Sequence, residues 1–267
     1  MKNDWQNRAW LFALMIALGL SGALPAHAGL AEGGDGSAQY YLGVMYLHGQ
    51  GVVADDVEAV RWWQLSADQG HVNAQVNLAY SYDQGRGVPQ DKDAALKYYR
   101  MAANQDHAAA QYFIGKAYVD GVSVPRDYEQ ARFWLDLAAQ QEDPDAQFSL
   151  AMIYNNGDGV PQDHGQALYW FEKAADQGIA DAQFWCGVMY QTGRGGSQDT
   201  GKAVKWTMAA ADQGHANAQN NLANMYFQGD GVPQDIARAA DLFQKAAIQG
   251  IAVAQVNLGV MYSAGRG

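Results

Sequence analysis

Apolar and small residues return along this chain at a fixed interval. The dipeptide Ala-Gln stands at Ala38, Ala74, Ala110, Ala146, Ala182, Ala218 and Ala254, each 36 residues after the one before. Apolar or small side chains follow each of these alanines at the fourth, fifth and eighth residue, as Leu78, Ala79 and Tyr82 follow Ala74. Those offsets share one face of a 3.6-residue helix, so each register opens on a short amphipathic helix. The fifth offset is always Gly or Ala (Gly43, Ala79, Gly115, Ala151, Gly187, Ala223, Gly259), which marks where a neighbouring helix comes close. Glycine then stops the helix at Gly49, Gly85, Gly121, Gly157, Gly193, Gly229 and Gly265, as a left-handed C-terminal cap requires.

A turn of the form Gly-x-Gly-Val-Pro-x-Asp comes next, as in GRGVPQD from Gly85 and GDGVPQD from Gly157 and Gly229. Its aspartate (Asp55, Asp91, Asp127, Asp163, Asp199, Asp235) is predicted to cap a second helix, with capping boxes at Asp55/Glu58, Asp127/Gln130 and Asp163/Gln166. The second helix carries Ala167, Trp170 and Phe171 in the fourth register. Trp62, Trp134, Trp170 and Trp206 share one slot and are placed in the core by register. Local departures are Gly196-Ser197 for Val-Pro, Asp106 and Glu142 for a terminal glycine, and Leu242 for the aromatic; each is expected to loosen only its own turn.

Six full repeats run from 38 to 253 and a partial seventh covers 254–267, so the repeats leave no length for a second domain. A period of this size is the signature of a solenoid. The pattern A…LG..Y..G.GV..D...A..W...AA.QG resembles the Sel-one-like repeat, a relative of the tetratricopeptide repeat. The resemblance implies an all-α fold: antiparallel helix pairs of 36-residue repeats, stacked into a right-handed α-solenoid whose first helices line a concave groove.

Ahead of the repeats, Lys2 and Arg8 precede the apolar run Ala9 to Leu20, and Ala26-His27-Ala28 supplies a small-x-small site. This three-part layout predicts a signal peptide over 1–28, cleaved after Ala28, with 29–37 as a leader to the first repeat. Twelve apolar residues are too few to span a bilayer as a helix, so no membrane insertion is expected after cleavage. A periplasmic or secreted location follows. The formal charge of −11 excludes a nucleic-acid partner, which needs a basic stripe. The one cysteine, Cys186, fills an apolar slot and is expected to be a buried, inert thiol.

Catalytic and metal readings yield to structural ones. The Gly-Asp-Gly turns answer turn and cap geometry rather than calcium, which wants six or more oxygens from one loop. His71, His107 and His215 recur at a repeat junction, too far apart for a shared zinc. Cysteine-rich relatives described as penicillin-binding or penicillin-hydrolysing have cysteine pairs this chain lacks, and no Ser-x-x-Lys or Lys-Thr-Gly occurs. No catalytic residue, metal or cofactor is expected.

What remains is the first-helix face opposite its core. At the third offset stand Tyr41, Asn77, Phe113, Ser149, Trp185, Asn221 and Asn257, with Tyr80, Lys116 and Asn224 beside them at the sixth. Aromatics alternating with amides can anchor side chains and hydrogen-bond an extended peptide. The binding residues expected are Tyr41, Asn77, Tyr80, Phe113, Lys116, Trp185, Asn221 and Asn224; the competing reading is that neighbouring repeats bury the aromatics. The expected function is a non-catalytic scaffold or regulator that binds a protein or peptide, in the first place an envelope protein. The open C-terminal end is a candidate for self-association. The alternatives are a penicillin-binding or penicillin-hydrolysing enzyme and a secreted effector acting on host proteins.

Overall fold

The computed structural model describes residues 24–265. The apolar run of the expected signal peptide lies outside them. Among the described residues there are fourteen helices and no strand: α1 (Leu24–Glu32), α2 (Gly36–His48), α3 (Asp56–Asp68), α4 (Val72–Gln84), α5 (Lys92–Ala103), α6 (Ala108–Asp120), α7 (Tyr128–Gln140), α8 (Pro144–Asn156), α9 (His164–Asp176), α10 (Ala180–Thr192), α11 (Thr200–Asp212), α12 (Ala216–Gln228), α13 (Ile236–Ile248) and α14 (Ala252–Ser263). From α2 onward the even-numbered members open each repeat and the odd-numbered ones close it, and within each unit consecutive helices pack on one another. The chain is an α-solenoid of 36-residue helix pairs.

The aspartate N-caps form as expected, but the reciprocal arm of the capping boxes does not: the backbone N–H of Asp55, Asp127 and Asp163 is taken by a tyrosine carbonyl rather than by Glu58, Gln130 or Gln166. Asp55 and Asp91 each accept two backbone N–H bonds from the first turns of α3 and α5. Asp163, Asp199 and Asp235 each accept one. Each capping aspartate also donates its own N–H to the carbonyl of the tyrosine that ends the first-helix face, as Asp91 does to Tyr82 at 2.9 Å. That bond ties the loop between the paired helices at both ends. It is kept at 3.0 Å from Asp199 to Tyr190, although Gly196-Ser197 replaces Val-Pro there. Asp106 and Glu142 keep the left-handed backbone of the glycines they replace, at φ 61° and 64°. The turn is not opened; the residue carries the strain that glycine avoids.

The Ala-Gln dipeptide is a packing device. The alanines are buried against their neighbours, and each glutamine reaches back to the last turn of the preceding helix. Gln75 Nε2 donates to Ala67 O at 3.3 Å, and Gln183 Nε2 donates to Ala175 O at 3.1 Å. The glutamine oxygen then accepts from the glutamine that follows the paired helix, as Gln105 to Gln75 at 2.9 Å and Gln213 to Gln183 at 2.8 Å. Burying an amide is costly unless both its ends are bonded, and here both are.

The chain divides into two compact units: one runs to Ile114 and includes Val122–Val124, the other comprises Gly115–Gly121 and Pro125 onward. In the first, α1 takes the place of a second helix: Gln39 Nε2 bonds Ala31 O at 3.1 Å, as Gln75 bonds Ala67. The leader residues after Ala28 therefore pack on the first repeat. In the second unit, Phe171, Cys186, Met189, Met225 and Phe243 build one continuous core. The register assignment of tryptophans needs one correction. Trp62 and Trp206 are buried, but Trp134 and Trp170 are only half-buried. The slot one residue later, at Trp63, Tyr99, Leu135, Phe171, Thr207 and Phe243, is the one buried in every repeat, and Trp63, Leu135 and Thr207 pack directly on the glycine of the paired first helix. A Cβ on Gly43 would lie 2.5 Å from Trp63 Nε1, and one on Gly115 would lie 2.7 Å from Leu135 Cγ.

Candidate functional site

The eight residues expected to bind lie on the first helices of the repeats. Four belong to the first unit. Tyr41, on α2, is 41% exposed and meets Tyr40 edge-on at 5.2 Å. Asn77 and Tyr80, on α4, are half-buried. Phe113, on α6, is half-buried and stacks on Tyr99 of α5 at 4.5 Å. The other four belong to the second unit. Lys116 is exposed and paired with Asp120 at 2.8 Å. Trp185, on α10, is half-buried and stacks on Phe171 at 5.9 Å. On α12, Asn221 accepts from Asn220 Nδ2 at 3.4 Å, and Asn224 Nδ2 donates to the Asn220 carbonyl at 3.0 Å.

Phe113 and Trp185 therefore each have one face on the buried aromatic of the preceding repeat. They use it as a backing plate, which lowers the rotamer entropy lost when a ligand is held. Tyr41 is the most open of the three third-offset aromatics. Within each unit these helices present half-exposed rings and amides, groups able to recognise a ligand by shape and hydrogen bonding.

Burial pushes the Cys186 thiol far above its ordinary value, with Glu172 and Asp176 adding to the effect, so the nucleophilic thiolate is suppressed. Among the described residues no three His, Cys, Asp or Glu side chains are placed to hold a metal ion. The junction histidines have a definite job: Nδ1 of His71, His107 and His215 accepts the N–H of Ala74, Ala110 and Ala218 at 3.3, 3.4 and 3.1 Å. They are N-caps. The recurrence of His or Asp three residues before Ala-Gln was the signal available in the sequence.

Helix pairs at a constant period, with no strand among the described residues, define the class: a repeat solenoid. Family comparison resolves it further. The Sel1 repeat model matches residues 36–71, 72–107, 108–143, 144–179, 180–215, 216–251 and 252–267, and the chain belongs to the Sel1 repeat family. Sel1 repeat proteins are in general protein–protein interaction scaffolds. Among solved structures, the chain is similar to c5321, a protective antigen of uropathogenic Escherichia coli strains with an SLR fold, at 35% identity and a TM-score of 0.85. That match covers 91% of this chain and 52% of the E. coli protein, so the chain spans about half its length. It is also similar to a Sel1 repeat protein from Oxalobacter formigenes, at 29% identity and a TM-score of 0.71, covering 79% of this chain and 85% of that one. No curated protein matches the chain. No described helix is long and apolar enough to cross a membrane.

Proposed function

We propose that this chain is a non-catalytic scaffold that captures an extended protein or peptide segment on the first-helix faces of its repeats, in the periplasm or outside the cell. The observation that carries the reading is the backed aromatic. Phe113 and Trp185 each offer a half-exposed ring fixed from behind by Tyr99 or Phe171, with amides on neighbouring helices of the same unit. Rigid aromatics beside hydrogen-bonding groups are the usual anchors of such recognition. The residues assigned to binding are Tyr41, Asn77, Tyr80, Phe113, Lys116, Trp185, Asn221 and Asn224. Export rests on Lys2, Arg8, the apolar run and Ala26-His27-Ala28, and the description of the E. coli relative as a protective antigen supports it.

Tagged protein recovered from envelope extracts identifies the partner, and the triple variant Tyr41→Ser, Phe113→Ser, Trp185→Ser tests the surface. The expected outcome is loss of capture with helical content intact by circular dichroism. Capture at wild-type affinity would move binding off these helices. N-terminal sequencing of the exported protein is expected to begin at Gly29.

A further inference from the structure

The ring slot of the second helices is finished in two ways. In three repeats the residue just before the ring is a cation that lies over it: Arg61 over Trp62 at 4.5 Å, Lys97 over Tyr98 at 5.2 Å and Lys205 over Trp206 at 3.9 Å. Those rings are 7%, 8% and 6% exposed. In the third and fourth repeats the cation is replaced by Phe133 and Tyr169, themselves 55% and 49% exposed. They meet Trp134 and Trp170 edge-on, at 5.2 and 4.9 Å. Trp134 and Trp170 are left half-buried, and among the described residues no Arg or Lys lies over either ring. The nearest approach is Lys173, 5.7 Å over Tyr169.

Both ring pairs sit in the second unit, on α7 and α9, which pack on the same helix α8. Gln177 Nε2 donates to Glu142 O at 2.9 Å, so the C-terminal ends of α7 and α9 lie side by side. The same two helices carry Glu129, Asp136, Glu172 and Asp176, on a chain of formal charge −11. Their own cations are Arg132, half-buried, and Lys173.

We infer that the outward faces of α7 and α9 form a second docking surface, which accepts a basic peptide segment whose Arg or Lys side chains cover Trp134 and Trp170. The fold itself shows what this slot accepts: in each of the three repeats whose ring is buried, the cation of the preceding residue lies over it. A partner's guanidinium supplies the missing cover and gains the ring quadrupole together with the attraction of an acidic chain. The surface is separate from the first-helix face assigned above.

The probe is a peptide of alternating glycine and arginine, with its neutral citrulline counterpart, titrated calorimetrically against the whole protein at physiological salt. The arginine peptide is expected to bind about tenfold more tightly than the citrulline one. Trp134→Leu with Trp170→Leu should weaken it about tenfold, two cation–π contacts at roughly a factor of three each. Leucine already occupies this slot at Leu242, so folding is preserved. Phe133→Lys with Tyr169→Lys, which installs the covering cation of the other repeats, should weaken it at least as much. Trp206→Leu, at a ring already covered, should leave binding unchanged, as should the Tyr41, Phe113, Trp185 triple variant. Equal binding by the Trp134, Trp170 double variant would overturn the inference. Binding of a neutral oligosaccharide, lost in that variant while the arginine peptide is ignored, would also overturn it and make the rings a glycan platform.

Discussion

Two first helices of the second unit carry the same four residues in the same register and live in different surroundings. In α10, Gly187-Val188-Met189-Tyr190 is pressed between α9 and α11; in α14, Gly259-Val260-Met261-Tyr262 packs on α13, and no described helix follows. Tyr190 is buried, its hydroxyl donating to Glu172 and Lys202 lying 4.5 Å over its ring; Tyr262 is 56% exposed. A Cβ on Gly187 would come within 2.4 Å of Thr207 Oγ1, whereas one on Gly259 would meet nothing within 4 Å. Met189 and Met261 are buried in both. Identical residues thus form identical helices, and the difference in burial belongs to the neighbour. In a solenoid each repeat is stabilised by the repeats beside it.

The largest effect tests how far that neighbour dependence reaches. Phe171 is fully buried and backs Trp185, so Phe171→Ala should cost roughly 3–5 kcal/mol, with hydrogen-exchange protection lost mainly in α8 to α11. Val256→Ala, on the open face of α14, should change stability by under about 0.5 kcal/mol. Uniform loss of protection along the chain after Phe171→Ala would show that the repeats do not act locally.

A sharper test uses one substitution with opposite signs. Gly187→Ala forces a methyl group against Thr207 and should destabilise by roughly 1–3 kcal/mol. Gly259→Ala enters open space in a helix and should stabilise by roughly 0.5–1 kcal/mol through backbone entropy alone. Denaturant titration of both variants decides it, and the same sign in both would mean that α14 is covered in solution.

The smallest effect concerns the caps, where first helices differ next. The N-caps of α10 and α14, Ile179 and Ile251, make no side-chain bond, while α4 is capped by His71. Burial holds His71 and His107 below the ordinary histidine value of 6.5; in His71 its own backbone bond and Asp35 oppose the shift, and in His107 its own backbone bond does. The unfolded chain takes up protons near that value and the folded chain only lower. The stabilisation is therefore complete above about pH 6.5 and lost as pH falls through the folded values. Protonation also removes the lone pair that accepts the helix N–H and adds charge at the positive end of the dipole. His71→Asp with His107→Asp, copying the natural cap Asp35, should reduce the drop in melting temperature between pH 7.5 and 5. His48, lowered by burial and by Arg86, keeps a remainder. An unchanged drop would show that the junction caps do not sense acid.

Periodicity, glycine placement and capping aspartates were legible in the chain because they depend on backbone geometry within a few residues. The helix pairs, their turns and the 36-residue stacking unit all rest on such local rules. Cys186 was legible as core for the same reason: the register puts it where Leu or Ile stands elsewhere. Side-chain environment was not, because it depends on which faces of neighbouring helices meet. Trp170 and Trp206 share a register slot, yet the first is half-open and the second is buried with Lys205 over its ring. Phe113 and Trp185 were expected on an open face; the fold sets one side of each ring against the preceding repeat and leaves the other half-exposed. The glutamine of Ala-Gln marked the period without revealing its use, since its partners lie in the preceding and following second helices. Amino-acid order alone settles which segments are helices and how often they recur, because hydrogen bonds and caps close locally. Which of the recurring rings meet solvent is set by packing, because burial is a property of two surfaces and a single repeat supplies only one of them.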